Sequence, residues 1–284
     1  MSAPSLRDLV ELTKPRIVAA GTLAALAGYL APLDHARLVP LLEALGAIGG
    51  ITAAAGILNQ VLERDIDARM PRTADRPLPA GRIGVRTATV LGVVLAAASL
   101  ALAAWRINGL TTALMLFAFV SYLFVYTPLK RHTTLNTFVG AVPGALPPVL
   151  GFTAATGDLG RGAYALFAIM FLWQLPHFLA IAWLYRRDYE LGGLKMLPER
   201  DPDGALVSSQ ICIHAISLCL VALLPFVFQM AGPVYLVGSL LLGLGFAIPA
   251  FRFWRERSDA LARQVMRASL IYLPGILCLL ALKA

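Results

Sequence analysis

Residues 44–67 read ALGAIGGITAAAGILNQVLERDID, and their two halves have opposite characters. The first nineteen, Ala44 to Leu62, carry no charge and are mostly Ala, Gly, Ile and Leu. A helix needs ~20 mostly apolar residues to cross a bilayer, so this run has the length and composition of a span. The last five are four charged residues around one isoleucine. A membrane helix that ends in a charged cluster sets both the fold class and the end of the molecule where chemistry is expected.

Eight similar runs accompany it. The candidate spans are residues 16–33, 40–60, 87–105, 109–127, 136–155, 162–185, 207–229, 232–251 and 265–282. The expectation is an all-α polytopic membrane protein of nine transmembrane helices, with 1–284 as one integral-membrane domain. Only 14% of the chain is charged and 58% is hydrophobic. A soluble domain carries about a quarter charged residues, and a soluble core of this size could not hide so much apolar surface. Cys212, Cys219 and Cys278 sit inside apolar runs and fit neither a disulfide framework nor a metal-site spacing. Met1 to Arg16 mixes charges without a small-residue cleavage site, so the first span is expected to be retained.

Nine spans divide the connectors between two sides. Arg37, Arg106, Arg161 and Lys283 fall on one, and the other 20 of the 24 Lys and Arg residues fall on the opposite one. Basic residues collect on the cytoplasmic side, which predicts a cytoplasmic N-terminus and a C-terminus outside. The net charge of +8 is therefore mostly topological, and nucleic-acid binding is a poor reading of it.

The longest connectors, about 62–86 and 186–206, lie on the basic side. Asn59, Glu63 and Asp67 recur at i, i+4 and i+8, one face of a helix entering the first of them. Carboxylates beside hydrocarbon are expensive and normally have a partner or a function. Oxygen ligands on one face suit Mg²⁺, which binds through one or two carboxylates plus substrate phosphates. Arg64, Arg72 and Arg76 follow, and arginine forks match phosphate oxygens. Tyr126 and Lys130 form an i, i+4 pair at the same mouth. Together these residues suggest a metal–diphosphate cradle.

The sixth span carries Trp173, Gln174, Pro176 and His177 in mid-membrane and ends in Arg186-Arg187-Asp188-Tyr189. Pro176 is expected to kink the helix and free a carbonyl one turn earlier. On a straight helix His177 and Asp188 share a face, ~16 Å apart, and could contact a large ligand at two depths. Pro143, Pro147 and Pro148 are expected to break the fifth span, and Gly140 and Gly144 to permit close helix contact.

These motifs resemble the intramembrane prenyltransferases of the UbiA type. The run from Asn59 to Asp67 is similar to that family's first acidic motif, Asn-Asp-x-x-Asp-x-x-x-Asp, with Gln60 and Glu63 at two of the aspartate positions. Tyr126-x-x-x-Lys130 matches its Tyr-Lys motif. The branch whose acceptor is haem is the nearest. It is carried by Leu12-Thr13-Lys14-Pro15-Arg16, Asn59-Gln60, Met70-x-Arg72-Thr73, Tyr126-Thr127-Pro128-Leu129-Lys130-Arg131 and Trp173-Gln174-x-Pro176-His177-Phe178. The second acidic motif of the wider family is reduced here to Asp188. A member that prenylates a quinone precursor or another aromatic would be expected to carry a fuller one.

The resemblance implies a bacterial inner-membrane enzyme that uses Mg²⁺, with farnesyl diphosphate and haem b as substrates. It implies Asn59, Glu63 and Asp67 on the metal, with Tyr126 and Lys130 completing the catalytic set. Arg64, Arg72, Arg76 and Lys130 would take the diphosphate. Trp173, Gln174, His177, Arg187 and Asp188 would take the haem. A haem A synthase or an oxidase assembly factor is the implied partner. A transporter is the rival from another class, but the charges gather at one mouth and do not line a path across.

The charge asymmetry is testable in intact cells. In a cysteine-free background, a membrane-impermeant thiol reagent added outside is expected to miss Arg72→Cys and to label Arg161→Cys. The opposite pattern would invert the topology.

Overall fold

The computed structural model describes residues 5–283, and among these there is helix but no strand. Fifteen α-helices follow one another: α1 Leu6–Leu12, α2 Pro15–Leu30, α3 Leu38–Leu62, α4 Arg64–Asp67, α5 Val85–Arg106, α6 Gly109–Val120, α7 Thr127–Leu129, α8 Asn136–Gly144, α9 Leu146–Thr156, α10 Arg161–Leu184, α11 Arg186–Gly192, α12 Ala205–Val221, α13 Leu224–Val227, α14 Pro233–Arg255 and α15 Asp259–Ala281. Counting α6–α7, α8–α9 and α12–α13 as single rods, eight among the described residues are long and apolar enough to cross a membrane. The ninth, α2, has 16 residues and is the shorter apolar helix. The chain is a multi-pass membrane protein, and nine apolar rods match the nine expected spans.

The rods close on themselves. Helix α3 packs on α2 and α5, α9 on α2 and α10, α10 on α12 and α15, α14 on α12 and α15, and α15 returns to α2. Lipid offers a helix as much apolar contact as another helix does, so close approach and small residues decide such contacts. At the α2–α9 crossing, a Cβ on Gly28 would overlap the backbone of Pro148, and one on Gly151 would overlap the backbone of Ala25. These glycines let two backbones touch, and the main core cluster of Ala24, Ala25, Ala54, Val149 and Leu150 surrounds them.

The five segments that the sequence assigns to one side meet at one end. Arg82 binds Asp8 of α1 at 2.8 Å. Arg72 stacks on Tyr185 at 4.4 Å. The backbone N–H of Lys195 donates to the carbonyl of Lys130 at 2.7 Å. Arg186 binds Asp259 at 3.0 Å. At the opposite end Arg106 binds Glu43 at 2.7 Å and Lys283 binds Asp34 at 2.6 Å.

The long connector after α3 is ordered by its own apolar pegs. Leu78 and Ile83 pack with Leu12, Ile57 and Ala88. Ile66 and Met70 pack with Leu194 across the gap to the second long connector. Both connectors thus form a cap over the same end of the bundle.

Several rods depart from regular helix. The fifth breaks at Ala145, where Pro147 and Pro148 start a new helix. The sixth runs through Pro176 as one helix to Leu184 but ends there, with Tyr185 at φ −110 and ψ 25. The straight-helix spacing from His177 to Asp188 therefore does not hold, because Asp188 belongs to the separate helix α11.

If the α2–α9 contact depends on missing β-carbons, Gly151→Ala will lower the melting temperature in detergent. The expected cost is at least the ~1–3 kcal/mol typical of overpacking, since rigid backbone is what blocks the methyl. Gly46→Ala has nothing within 4 Å of the added carbon and will be neutral or slightly stabilising.

Candidate active site

The charged end of α3 is not a continuous helix. Glu63 leaves helical geometry at φ −101 and ψ 7, and α4 starts at the next residue. The backbone N–H of Asp67 still donates to the carbonyl of Glu63 at 2.8 Å. Asn59, Glu63 and Asp67 are all buried on either side of this break.

Each of the three faces a cation from a different segment. Lys130 Nζ reaches the two Glu63 carboxylate oxygens at 2.8 and 3.0 Å. Arg76 binds the Asp67 carboxylate at 2.7 Å. Lys14 donates to Asn59 Oδ1 at 2.8 Å. Lys14 lies between α1 and α2, in the Leu12–Arg16 run that carries the family resemblance, and the sequence reading gives it no role in the site. A lysine directly before a proline at the entry to a span was the available signal, since that position is biased away from helix.

The charges are set by these contacts. Burial opposes the charge on Lys130, but the Tyr126 ring, 4.6 Å from its Nζ, and the Glu63 carboxylate hold its ammonium above the usual lysine range. Lys14 has no carboxylate in contact. Burial, with the positive charge of Arg76 beside it, pulls its ammonium down to about 7.

The fourth rod is adapted to present Tyr126 and Lys130. Between α6 and α7 it widens into a π-helix, Ser121–Tyr126, and such bulges frequently mark functional sites. The Thr127 hydroxyl donates back to the Tyr122 carbonyl at 2.9 Å and accepts from Asn59 Nδ2 at 3.1 Å. This threonine, which the sequence reading quotes only as part of the Tyr126–Arg131 run, fixes which way the Asn59 amide points. A Cβ on Gly140 would strike the Tyr126 ring, and one on Gly144 would strike the Gln174 carboxamide. The two glycines are seats for side chains of the site.

The arginines divide. Arg76 is inside the cluster. Arg72 lies over Tyr185 and Tyr189, at 4.4 and 5.1 Å, and so bridges the two long connectors. Arg64 is exposed.

The sixth rod forms a second group, built around Ser269 of α15. Trp173 Nε1 donates to the Ser269 carbonyl at 2.8 Å, and His177 Nδ1 shares a 2.7 Å hydrogen bond with the Ser269 hydroxyl. The Trp173 and His177 rings stack, with 5.1 Å between centroids and 15° between planes. Gln174 donates to the Ala141 carbonyl at 2.8 Å. Asp188 is half-buried and Arg187 exposed on α11. Arg186 is committed elsewhere, to Asp259 and the Trp183 carbonyl.

Among the described residues no three His, Cys, Asp or Glu side chains converge on one metal-binding point. The donor set still fits Mg²⁺, because that ion takes one or two carboxylates and completes its octahedron with water and substrate phosphates. Asn59, Glu63 and Asp67 supply hard oxygens, each already held within hydrogen-bond distance of a positive charge.

The model of the UbiA prenyltransferase family matches residues 18–272. The chain belongs to that family. Its similarity to individual UbiA members runs almost end to end. It is 44% identical to the protoheme IX farnesyltransferase of Solibacter usitatus, over 98% of both chains. It is 45% identical to the protoheme IX farnesyltransferase of Salinibacter ruber, over 97% of this chain and 98% of that one. The fold is shared with a digeranylgeranylglyceryl phosphate synthase at TM-score 0.80 and 15% identity, covering 98% of this chain and 97% of that one. It is also shared with a UbiA homologue from Archaeoglobus fulgidus bound to GPP and Mg²⁺, at TM-score 0.69 and 19% identity, covering 96% of this chain and 99% of that one.

The Lys130–Glu63 pair makes a stability prediction that does not depend on turnover. Removing one partner of a buried pair strands the other charge and typically costs ~3–5 kcal/mol, whereas removing both is far milder. Lys130→Met is expected to lower the melting temperature sharply, and Lys130→Met with Glu63→Gln to recover most of the loss. Equal melting temperatures for the single and double variants would dissolve the pair as a stabilising element.

Proposed function

We propose that this chain transfers the farnesyl group of farnesyl diphosphate to a vinyl group of haem b, giving haem O and diphosphate. The observation that carries the reading is the cluster at the charged end of the bundle. Two buried carboxylates and a carboxamide stand opposite three cations, beneath a cap of two ordered connectors. The near full-length similarity to protoheme IX farnesyltransferases supports haem as the acceptor.

The chemistry follows from where charge develops. The bond between the allylic carbon and the diphosphate oxygen breaks, and its electron pair leaves with the diphosphate. Lys130 and Arg76 lie where that charge grows, and Arg72 can turn to it from its place over Tyr185. Mg²⁺, held by Asn59, Glu63 and Asp67, would supply further positive charge to the leaving group. The vinyl π-electrons attack the allylic carbon, and the new cation forms on the carbon next to the porphyrin ring. Water adds there and loses a proton, completing the hydroxyethyl group. The apolar walls keep water from the farnesyl cation before the new carbon–carbon bond forms.

On the acceptor side, Ser269 holds His177 by Nδ1, which leaves Nε2 for haem iron or for the reacting edge. Asp188 and Arg187 stand nearer the charged end, where propionates would emerge. The charged end faces the cytoplasm of the inner membrane, in keeping with the basic asymmetry of the connectors.

The decisive experiment incubates purified protein with farnesyl diphosphate, haem b and Mg²⁺ and identifies the extracted haem by mass. Haem O is expected from the wild-type protein. Asp67→Asn will remove at least ~100-fold of the turnover while the protein remains folded, a loss typical of one preorganised electrostatic group. His177→Ala will weaken haem b binding and leave farnesyl diphosphate binding nearly intact. Prenylation of an aromatic quinone precursor with no reaction on haem would replace this reading by another acceptor.

A further inference from the structure

Lys14 is placed too deliberately to be an anchor for lipid headgroups. Its backbone lies in the left-handed region, at φ 54 and ψ 60, which residues with a β-carbon rarely adopt. Pro15 accounts for part of this by disfavouring the right-handed helical region at the residue before it. The result is a sharp corner between α1 and α2 that aims the lysine stem along Gly56 and its ammonium at Asn59.

The corner is pinned from α3. Gln60 Nε2 donates to the carbonyl of Leu12 at 2.6 Å, on the last residue of α1. Leu12 itself is fully buried among Ile57, Leu78 and Ile83. Gly56, Asn59 and Gln60 sit within five residues of one helix, so a single stretch of α3 holds the stem, the ammonium and the backbone of the corner.

The chemistry of this contact is unlike that of the other two cations. Lys130 and Arg76 each face a carboxylate, whereas Lys14 faces a neutral carboxamide oxygen. Three basic side chains therefore meet two carboxylates, and Lys14, the one with no carboxylate partner, is left for an anionic ligand. An ammonium held in a site, short of an anion and one turn from a carboxylate pair, fits a diphosphate oxygen.

We propose that Lys14 is a further catalytic residue, which donates a hydrogen bond to the departing diphosphate, and that Gln60 is a positioning residue that acts through it. The inference rests on the prenyl-diphosphate reading above and extends it to these two side chains. The Lys14 proton stays on nitrogen, and the electron pair of the broken carbon–oxygen bond leaves with the diphosphate as before. Gln60 also gains a reason to differ from the family's aspartate. The Leu12 carbonyl needs a donor, and an ionised aspartate can only accept.

The test measures binding of inorganic pyrophosphate, with Mg²⁺ present, to the full-length protein in detergent, alongside KM for each substrate and the melting temperature. Lys14→Met is expected to weaken pyrophosphate binding by about ten- to a hundredfold, the usual range for one hydrogen bond to a charged group. It will raise KM for farnesyl diphosphate and leave KM for haem b unchanged. Lys14→Arg, which keeps the charge, will retain most of the affinity. Gln60→Met keeps the volume without the donor. It will weaken pyrophosphate binding less than Lys14→Met does and add nothing on top of it, because both act through one ammonium. Wild-type pyrophosphate affinity in Lys14→Met would overturn the proposal, and so would full additivity of the two variants. Failure of the wild-type protein itself to bind pyrophosphate would instead strike the prenyl-diphosphate reading, and this inference with it.

Discussion

Glu63 and Asp67 are almost wholly shielded from solvent at the end of a membrane span, and the cost of holding two carboxylates there shapes what surrounds them. A charge in such a setting must be answered at contact distance, because desolvation costs several kcal/mol per ion. The answers come from other segments. Lys130, which closes the fourth rod, meets Glu63, and Arg76 of the long connector meets Asp67, while Lys14, before the first rod, binds the neutral Asn59 beside them. The site is thus also the joint where those segments are tied together. A bundle held otherwise by small-residue contacts gains a fixed end from the same ions that would serve the chemistry.

The irregularities of the helices collect at that end. Glu63 interrupts the helix that carries Asn59, the Ser121–Tyr126 turn widens into a π-helix, and Lys14 takes a left-handed backbone. Each distortion turns a polar side chain inward, and each is stabilised by a polar contact it makes possible. Thr127 shows the logic in one residue. Its hydroxyl answers the Tyr122 carbonyl inside the widened turn and at the same time orients the Asn59 amide.

The spans were legible because hydrophobic length and charge asymmetry are properties of long stretches, insensitive to any one residue. The acidic trio was legible because burying carboxylates is costly enough to demand a reason wherever they flank a span. What stayed hidden depends on single contacts between distant segments. Lys14 meets Asn59 across 45 residues, and His177 meets Ser269 across 92. A serine inside an apolar run carries no signal of its own until the packing of α10 on α15 is known. The straight-helix extrapolation from His177 to Asp188 failed for a related reason. It assumed helix through Tyr185, and that residue leaves helical geometry where the rod emerges among the connectors.

On the proposed reading the two substrates' ends of the site are built on different principles, which is why one is plain in the sequence and the other faint. A diphosphate is recognised by charge, so its site needs several ionised groups whose placement beside hydrocarbon stands out. A flat macrocycle offers mainly apolar area, and burying it yields ~25 cal/mol for each Å² without any directional group. Trp173 and Gln174 fit that picture, since their side-chain N–H donors are already taken by the Ser269 and Ala141 carbonyls. His177 differs, because its partner, the Ser269 hydroxyl, gives its one proton to the Met266 carbonyl at 2.6 Å and so accepts from Nδ1–H. That contact fixes the tautomer and leaves the lone pair on the outer nitrogen. Arg186, which the sequence places beside Asp188, is bound to Asp259 and stacked 4.8 Å from the Trp183 ring, so it holds α15 to the connector. Acidic groups on the acceptor would have to be met by Arg187 and by the exposed arginines of the first connector. Those cations belong to the cap and not to the bundle, whereas Trp173, Gln174 and His177 are set by the α10 and α15 rods.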